Sequence, residues 1–401
     1  MKHIEKFINE FEKMIGGIHF HEIERYGTNP LVRINNEDFL MFASNNYLSL
    51  SNDPRVIDAA RVALELNGMG PGGSRFLCGN LKILNDLEKC ISEFVGVEDC
   101  ITFPTGYMAN LAAISAMIGS FIKDQPHNIE SAIIFSDENN HATLADGIKI
   151  SKANKIIYPH LNYEFLENEL NKHKHDHPKL IVTESVYPMD GDIADLNKIA
   201  DLAKKYDALL MVDDAHGVGI LGENGGGALE HFNLHNKVDV IMGSMDKALG
   251  GMGGYLGGSK KLIKYLRVAS RPYIFSSSMS AVMAGGMIKS IEICQKEKNR
   301  RKDLFEKADY VREKLTDLGY KLLGSNKIPV APLLIGSDEN CNIISKYLFS
   351  KKIFCPSIVW PAVPINTARM RITIMHEHTK EQLDYLIKTL EEARSLIKIS
   401  K

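Results

Sequence analysis

With 401 residues the chain is too long for one small core, and its 44% hydrophobic and 24% charged content is that of an ordinary globular protein. A net charge of −2, with both signs mixed along the chain, excludes a basic face built for nucleic acid or anionic lipid. The six cysteines (78, 90, 100, 294, 341 and 355) form no CxxC pair and sit at no histidine spacing typical of a metal site, which argues for free thiols in a reducing, cytoplasmic setting.

Residues 1–12 alternate charges with Ile4, Phe7, Ile8 and Phe11, the spacing of an amphipathic helix and not of a signal peptide. No apolar run approaches the roughly 18 residues needed to cross a bilayer. Pro54–Leu66 reads as a helix, and Gly68–Gly73 with Gly79 brackets a glycine-rich turn. Short apolar strands then alternate with helical patterns: Cys100–Phe103, Ala132–Ser136, Lys155–Tyr158, Leu180–Glu184, Leu209–Asp213, Val238–Gly243 and Gly254–Gly257. Between them lie helices over Tyr107–Ile118, His141–Ser151 and Leu196–Tyr206. Such alternation predicts an α/β fold with a mostly parallel sheet covered on both faces. After about residue 280 the pattern changes to a long amphipathic helix over Asn299–Leu318, strands at Val330–Ile335 and Met370–Ile374, and a terminal helix. The expected divisions are an N-terminal arm (1–45), a large domain (46–280) and a smaller α+β domain (281–401).

Polar residues at the carboxyl ends of parallel strands collect where α/β sheets bind ligands. Four such clusters appear: Thr105-Gly106-Tyr107, Asn139-Asn140-His141, Asp213-Asp214-Ala215-His216 and Ser244-Met245-Asp246-Lys247. Each alone has a bland reading as a solvated lysine, a loop end, a helix-start histidine or a turn. Together, in this order, they meet the demands of one cofactor, pyridoxal phosphate. Lys247 supplies an amine able to condense with its aldehyde. Asp213 supplies the carboxylate that keeps a pyridine nitrogen protonated, with His216 near the ring hydroxyl. Gly106, Tyr107 and Ser244 supply backbone N–H groups and a hydroxyl for a phosphate, and His141 a ring to lie over the pyridine.

The chain also resembles the α-oxoamine synthases, a branch of the fold-type I pyridoxal-phosphate enzymes. The likeness runs through Asn45-Asn46-Tyr47-Leu48, Gly72-Gly73-Ser74-Arg75, Thr105–Asn110, Asn140-His141-Ala142, Thr183–Tyr187, Met189–Asp192, Asp213–Gly217, Lys247–Gly250, Arg271–Ser276, Pro361–Pro364 and Arg369–Thr373. It implies that Lys247 carries the cofactor and later takes the substrate's α-proton, with His141 stacked on the ring. It adds Glu184 to the cofactor residues, and Ser277 supplied by the second subunit of a homodimer with a shared active site. Asn46 and Arg371 would meet the amino-acid carboxylate; Thr373 and Arg25 are further candidate substrate contacts. The implied reaction joins an amino acid to an acyl-CoA or acyl carrier protein, usually with loss of carbon dioxide. The motifs leave open an alanine-plus-pimeloyl branch, a serine-plus-palmitoyl branch and a glycine-plus-acetyl branch, and an aminotransferase on the same fold. A non-catalytic relative is disfavoured by the retained Lys247.

Three positions depart from the pattern. Pro188 stands where a serine is usual, Leu84 where a histidine is common, and Asp246 where a small residue precedes the lysine. Turned toward Lys247, Asp246 would hold the amine as an ammonium and slow aldehyde capture; sequence neighbours are expected to point apart.

Overall fold

The computed structural model describes residues 1–15, 21–118, 132–175, 178–324 and 328–397. The chain forms two compact units, each assembled from separated stretches. One contains Asp53–Tyr187 and Ile193–Lys298; the other contains Met1–Asn52, Pro188–Asp192 and Asn299–Lys401. These divisions fall elsewhere than 1–45, 46–280 and 281–401. One reason is the helix Ala281–Lys296, which lies against Pro54–Asn67 so closely that a Cβ on Gly285 would stand 2.6 Å from the Ala63 methyl.

The first unit is built on a seven-stranded sheet in the order Asp99–Phe103, Gly254–Gly258, Val240–Ser244, Leu209–Asp213, Lys179–Glu184, Ile133–Asp137, Asn154–Tyr158. The seven expected strands all appear, with ends shifted by up to two residues. Val240–Ser244 through Asn154–Tyr158 run parallel, whereas Gly254–Gly258 is antiparallel to both neighbours. Central strands such as Ile133–Asp137 and Lys179–Glu184 are buried along their whole length, as a sheet covered on both faces requires. One layer of the core joins Ile101, Ile134, Val182 and Met242 to Ala113 and Ile114 of the helix Gly106–Ile118 and to Leu144 of Ala142–Ser151. Leu84, in the helix Lys82–Val95, is fully buried, so that departure from the family pattern is absorbed as core.

The second unit carries a three-stranded sheet (Leu31–Ile34, Glu37–Met41, Ile353–Phe354) and a four-stranded sheet centred on Val330–Gly336 and Ala368–Thr373. The long helix Lys298–Asp317 and the capped helix Lys380–Arg394 belong with them. Thr379 and Gln382 close a capping box that satisfies the first turn of the latter. Among the described residues no helix is long and apolar enough to cross a membrane.

Candidate active site

The strand Asp99–Phe103 leads into the helix Gly106–Ile118, where Thr105 Oγ1 accepts from the Met108 N–H at 3.2 Å. A Cβ at 106 would lie 3.1 Å from Ser244 Oγ, a tight fit to which the hydroxyl would have to yield. A Cβ on Gly254 would lie 2.6 Å from the Gly106 Cα. The helix start therefore rests on bare backbone, with the Ser244 hydroxyl beside it. Free N–H groups, the positive end of a helix dipole and a hydroxyl make a seat for an anion. Tyr107 is exposed, and its hydroxyl donates to Asp146.

Next in the sheet, Glu184 and Asp213 sit in register on neighbouring parallel strands. Asp213 is buried, and its two oxygens accept from the Ala215 N–H at 3.0 Å and from Asn110 Nδ2 at 2.8 Å. Glu184 accepts the His141 N–H at 2.6 Å. Burial first, then the Asp213 charge, push the Glu184 carboxyl well above the usual carboxylate range, while the His141 N–H and the Lys247 amine pull it down. The Asp213 charge and the Lys247 amine thus act on Glu184 in opposite directions. His216 is half-buried in the turn after Asp213.

His141 caps the helix Ala142–Ser151, its Nδ1 accepting from the Thr143 N–H at 3.3 Å with the Thr143 hydroxyl 2.9 Å away. Donors facing Nδ1 assign the ring proton to Nε2. The loop before it is pinned by Asn140, which donates to Ser136 Oγ and to the Val182 carbonyl. Asn110, absent from the expected site, joins these parts: its Nδ2 donates to Asp213 and, at 2.9 Å, to Thr143 Oγ1. The signal for it was a lone amide in an otherwise apolar helix.

Lys247 follows the strand Val240–Ser244 and keeps only 14% of its side chain exposed. Asp246 does not point away from it. One Asp246 oxygen accepts from Lys247 Nζ at 3.4 Å and from the Ser244 hydroxyl. The expectation that the neighbours diverge fails because the strand has ended, and the turn does not alternate side chains between faces. Ser277 is exposed, two residues beyond the short helix Arg271–Phe275.

In the other unit Arg371 is buried and bonded only to neutral oxygens. It donates to Pro188 O at 3.1 Å, Thr373 Oγ1 at 3.3 Å, Asn45 Oδ1 at 2.9 Å and Tyr47 Oη at 3.2 Å. Its neighbour Arg369 instead reaches the Asp190 carboxylate at 2.6 Å. Asn45, not Asn46, is the amide on Arg371. The Asn46 side chain is spent on Ser51, donating to its hydroxyl at 2.7 Å and accepting its N–H at 3.2 Å. Pro188 contributes a carbonyl, which any residue there would offer. Arg25 is exposed and forms an isolated bridge to Arg33.

The model of the family aminotransferase class I and II matches residues 37–390. The chain belongs to that family. An 8-amino-7-oxononanoate synthase of Petrotoga mobilis is 40% identical over 363 residues, 90% of each chain. The 8-amino-7-oxononanoate synthase 1 of Bacillus velezensis is 36% identical over 395 residues, 98% of each chain. Among solved structures, SPT with PLP superposes with a TM-score of 0.91 at 28% identity, covering 98% of both chains. Within the aminotransferase class I and II family the chain is an α-oxoamine synthase, an acyltransferase that works with pyridoxal 5′-phosphate. Its residues fit that cofactor. The Gly106–Gly254 contact leaves room for phosphate, the buried Asp213 offers a carboxylate, and the sheltered Lys247 offers the amine.

Proposed function

We propose that the enzyme joins L-alanine to a pimeloyl thioester, the reaction of 8-amino-7-oxononanoate synthase. The observation that carries this choice is identity: 36–40% across nine-tenths or more of the chain to synthases of that name, against 28% to SPT. A C–H bond at the amino acid's α-carbon is replaced by a C–C bond to the acyl carbon, and the C–S bond breaks so that the thiol leaves with the α-proton. The bond from the α-carbon to the carboxylate then breaks, carbon dioxide leaves, and a proton takes its place.

Pyridoxal phosphate, when bound, supplies the sink for the electron pair released at the α-carbon. Lys247 Nζ would hold the cofactor by its aldehyde carbon and would serve as the base for the amino acid's α-proton. The Asp213 carboxylate holds a proton on the ring nitrogen, fixed in aim by Asn110 and the Ala215 N–H. Glu184 fixes the His141 backbone, which would place that ring to stack on the cofactor, and His216 would meet the ring hydroxyl. Gly106, Tyr107 and Ser244 hold the phosphate. Arg371, buried among neutral acceptors, takes the amino-acid carboxylate through charge-assisted bonds. Thr373 buttresses it; Arg25 is a further substrate contact, and Asn46 becomes one on releasing Ser51. The working unit is a homodimer in which Ser277 serves the other copy's phosphate seat, and the six free cysteines suit the cytoplasm.

A matrix of amino acids against acyl-CoA and acyl carrier protein thioesters, read by thiol release, tests the reading. Release requiring both substrates, and fastest for L-alanine with a pimeloyl thioester, is the expected result. A preference for serine with palmitoyl-CoA would move the chain to the serine branch. Amino transfer to a keto acid with no thiol release from any pair would sink the synthase reading. Lys247→Ala removes both the visible cofactor absorbance and the turnover.

A further inference from the structure

Ser244 and Lys247, assigned above to the phosphate and the aldehyde, already share one acceptor. Asp246 Oδ1 receives the Ser244 hydroxyl and, 3.4 Å away, Lys247 Nζ. Because Ser244 Oγ borders the first residue of the helix Gly106–Ile118, the Asp246 carboxylate occupies the hydroxyl that a phosphate at that helix start would use. A hydroxyl has one proton and cannot donate to both anions. The amine cannot stay an ammonium paired with Asp246 and also condense with an aldehyde. A carboxylate left in place beside a bound phosphate would repel it. The carboxylate has an exit, since the Asp246 side chain is 51% exposed against 14% for Lys247.

We infer that Asp246 is a built-in competitor of cofactor loading, engaging the phosphate hydroxyl and the aldehyde-capturing amine until the cofactor displaces it. The inference rests on the cofactor roles given above for Ser244 and Lys247. It names a residue where the family pattern has a small one, and it makes weakened loading a property of this chain.

The test uses the full chain stripped of cofactor, with Asp246→Asn and Asp246→Ala beside the parent. Pyridoxal phosphate, inorganic phosphate and phosphate-free pyridoxal are titrated separately, and the lysine adduct is trapped with borohydride and located by mass. Both variants are expected to bind pyridoxal phosphate about tenfold tighter. Inorganic phosphate should gain similarly and pyridoxal less, because only the first two contend for the Ser244 seat. Unchanged or weaker binding of pyridoxal phosphate in both variants overturns the inference. Equal gains for pyridoxal and pyridoxal phosphate overturn it too, since the effect would then lie on the amine alone. Absence of a Lys247 adduct in the parent would strike the cofactor reading itself, and this inference with it.

Discussion

Arg75 and Arg371 are both buried guanidiniums, one in each unit, and the molecule treats them in opposite ways. Arg75 grips Glu88 through two bonds, at 2.8 and 3.0 Å, and spends its other donors on Asn80 and Asn85. Glu88 in turn accepts the Thr102 N–H and hydroxyl. That charge is answered inside the fold. Arg371 is ringed by a carbonyl, an amide oxygen and two hydroxyls, none of which cancels it. Asp214 shows a third solution. Fully buried and held by Ser185 Oγ at 2.5 Å and the Ala228 N–H at 2.8 Å, it is pushed up by burial to about 7. An acid without a counter-ion can take a proton; a guanidinium cannot shed one. Of these three groups, Arg371 alone keeps a charge that an incoming carboxylate can answer, which supports the substrate role proposed for it. Arg312, buried against the carbonyls of Val330, Leu323 and Gly324, shows that neutral partners by themselves do not make a binding site.

The sharpest way to break this contrast is Arg75→Met. It leaves buried Glu88 with only the looser 3.6 Å contact to Arg267 and should lower stability by up to about 3–5 kcal/mol in urea unfolding, with most of the loss recovered in Arg75→Met/Glu88→Leu. A single variant as stable as the parent would show that the knot holds nothing. Asp214 comes next. Its carboxyl rises from 3.8 to about 7, so the folded chain binds the proton more tightly than the unfolded one. Its contribution is fully present below about 4 and lost as the pH rises through 7. Across that window the parent should lose up to about 4 kcal/mol relative to Asp214→Asn; parallel pH profiles would refute the assignment. Arg371→Leu should reduce kcat/KM by about 10²- to 10³-fold, while disturbing stability less than Arg75→Met does. Equal damage to stability would make Arg371 a second structural arginine. The smallest effect is expected for Asn110→Ala, which removes one of the two donors on Asp213. Affinity for pyridoxal phosphate should weaken about tenfold, measured by absorbance titration.

Much of the sheet was legible because its central strands are short apolar runs ending in a polar residue, as Leu209–Asp213 does. The direction of Gly254–Gly258 carried a readable signal: residues 245–253 are too few for the helical crossover a parallel neighbour needs. Strand ends gather the lysine, Asp213 and the helix-start histidine, whereas Glu184 came only with the family likeness. What escaped depends on single bonds. Between Asn45 and Asn46 the sequence offers no choice, yet only one faces Arg371. Asp246 sits in a turn, where neither the period of a strand nor that of a helix gives direction. Gly72-Gly73-Ser74-Arg75 marks the family, but its arginine proves to be spent on Glu88. The helix Ala281–Lys296 follows a change in sequence character and still packs with Pro54–Asn67, a partner that amphipathic spacing does not name.

The meeting of Gly106 and Gly254 has a mechanical consequence. Two main chains in direct contact have no rotamers to change, so the width of the recess beside Ser244 is fixed by covalent geometry and not by packing that can relax. Even one methyl group at 254 must lever the helix away from the sheet, moving every N–H at its tip together. Along the helix a buried side chain meets other side chains that can shift; at 254 the neighbour is main chain.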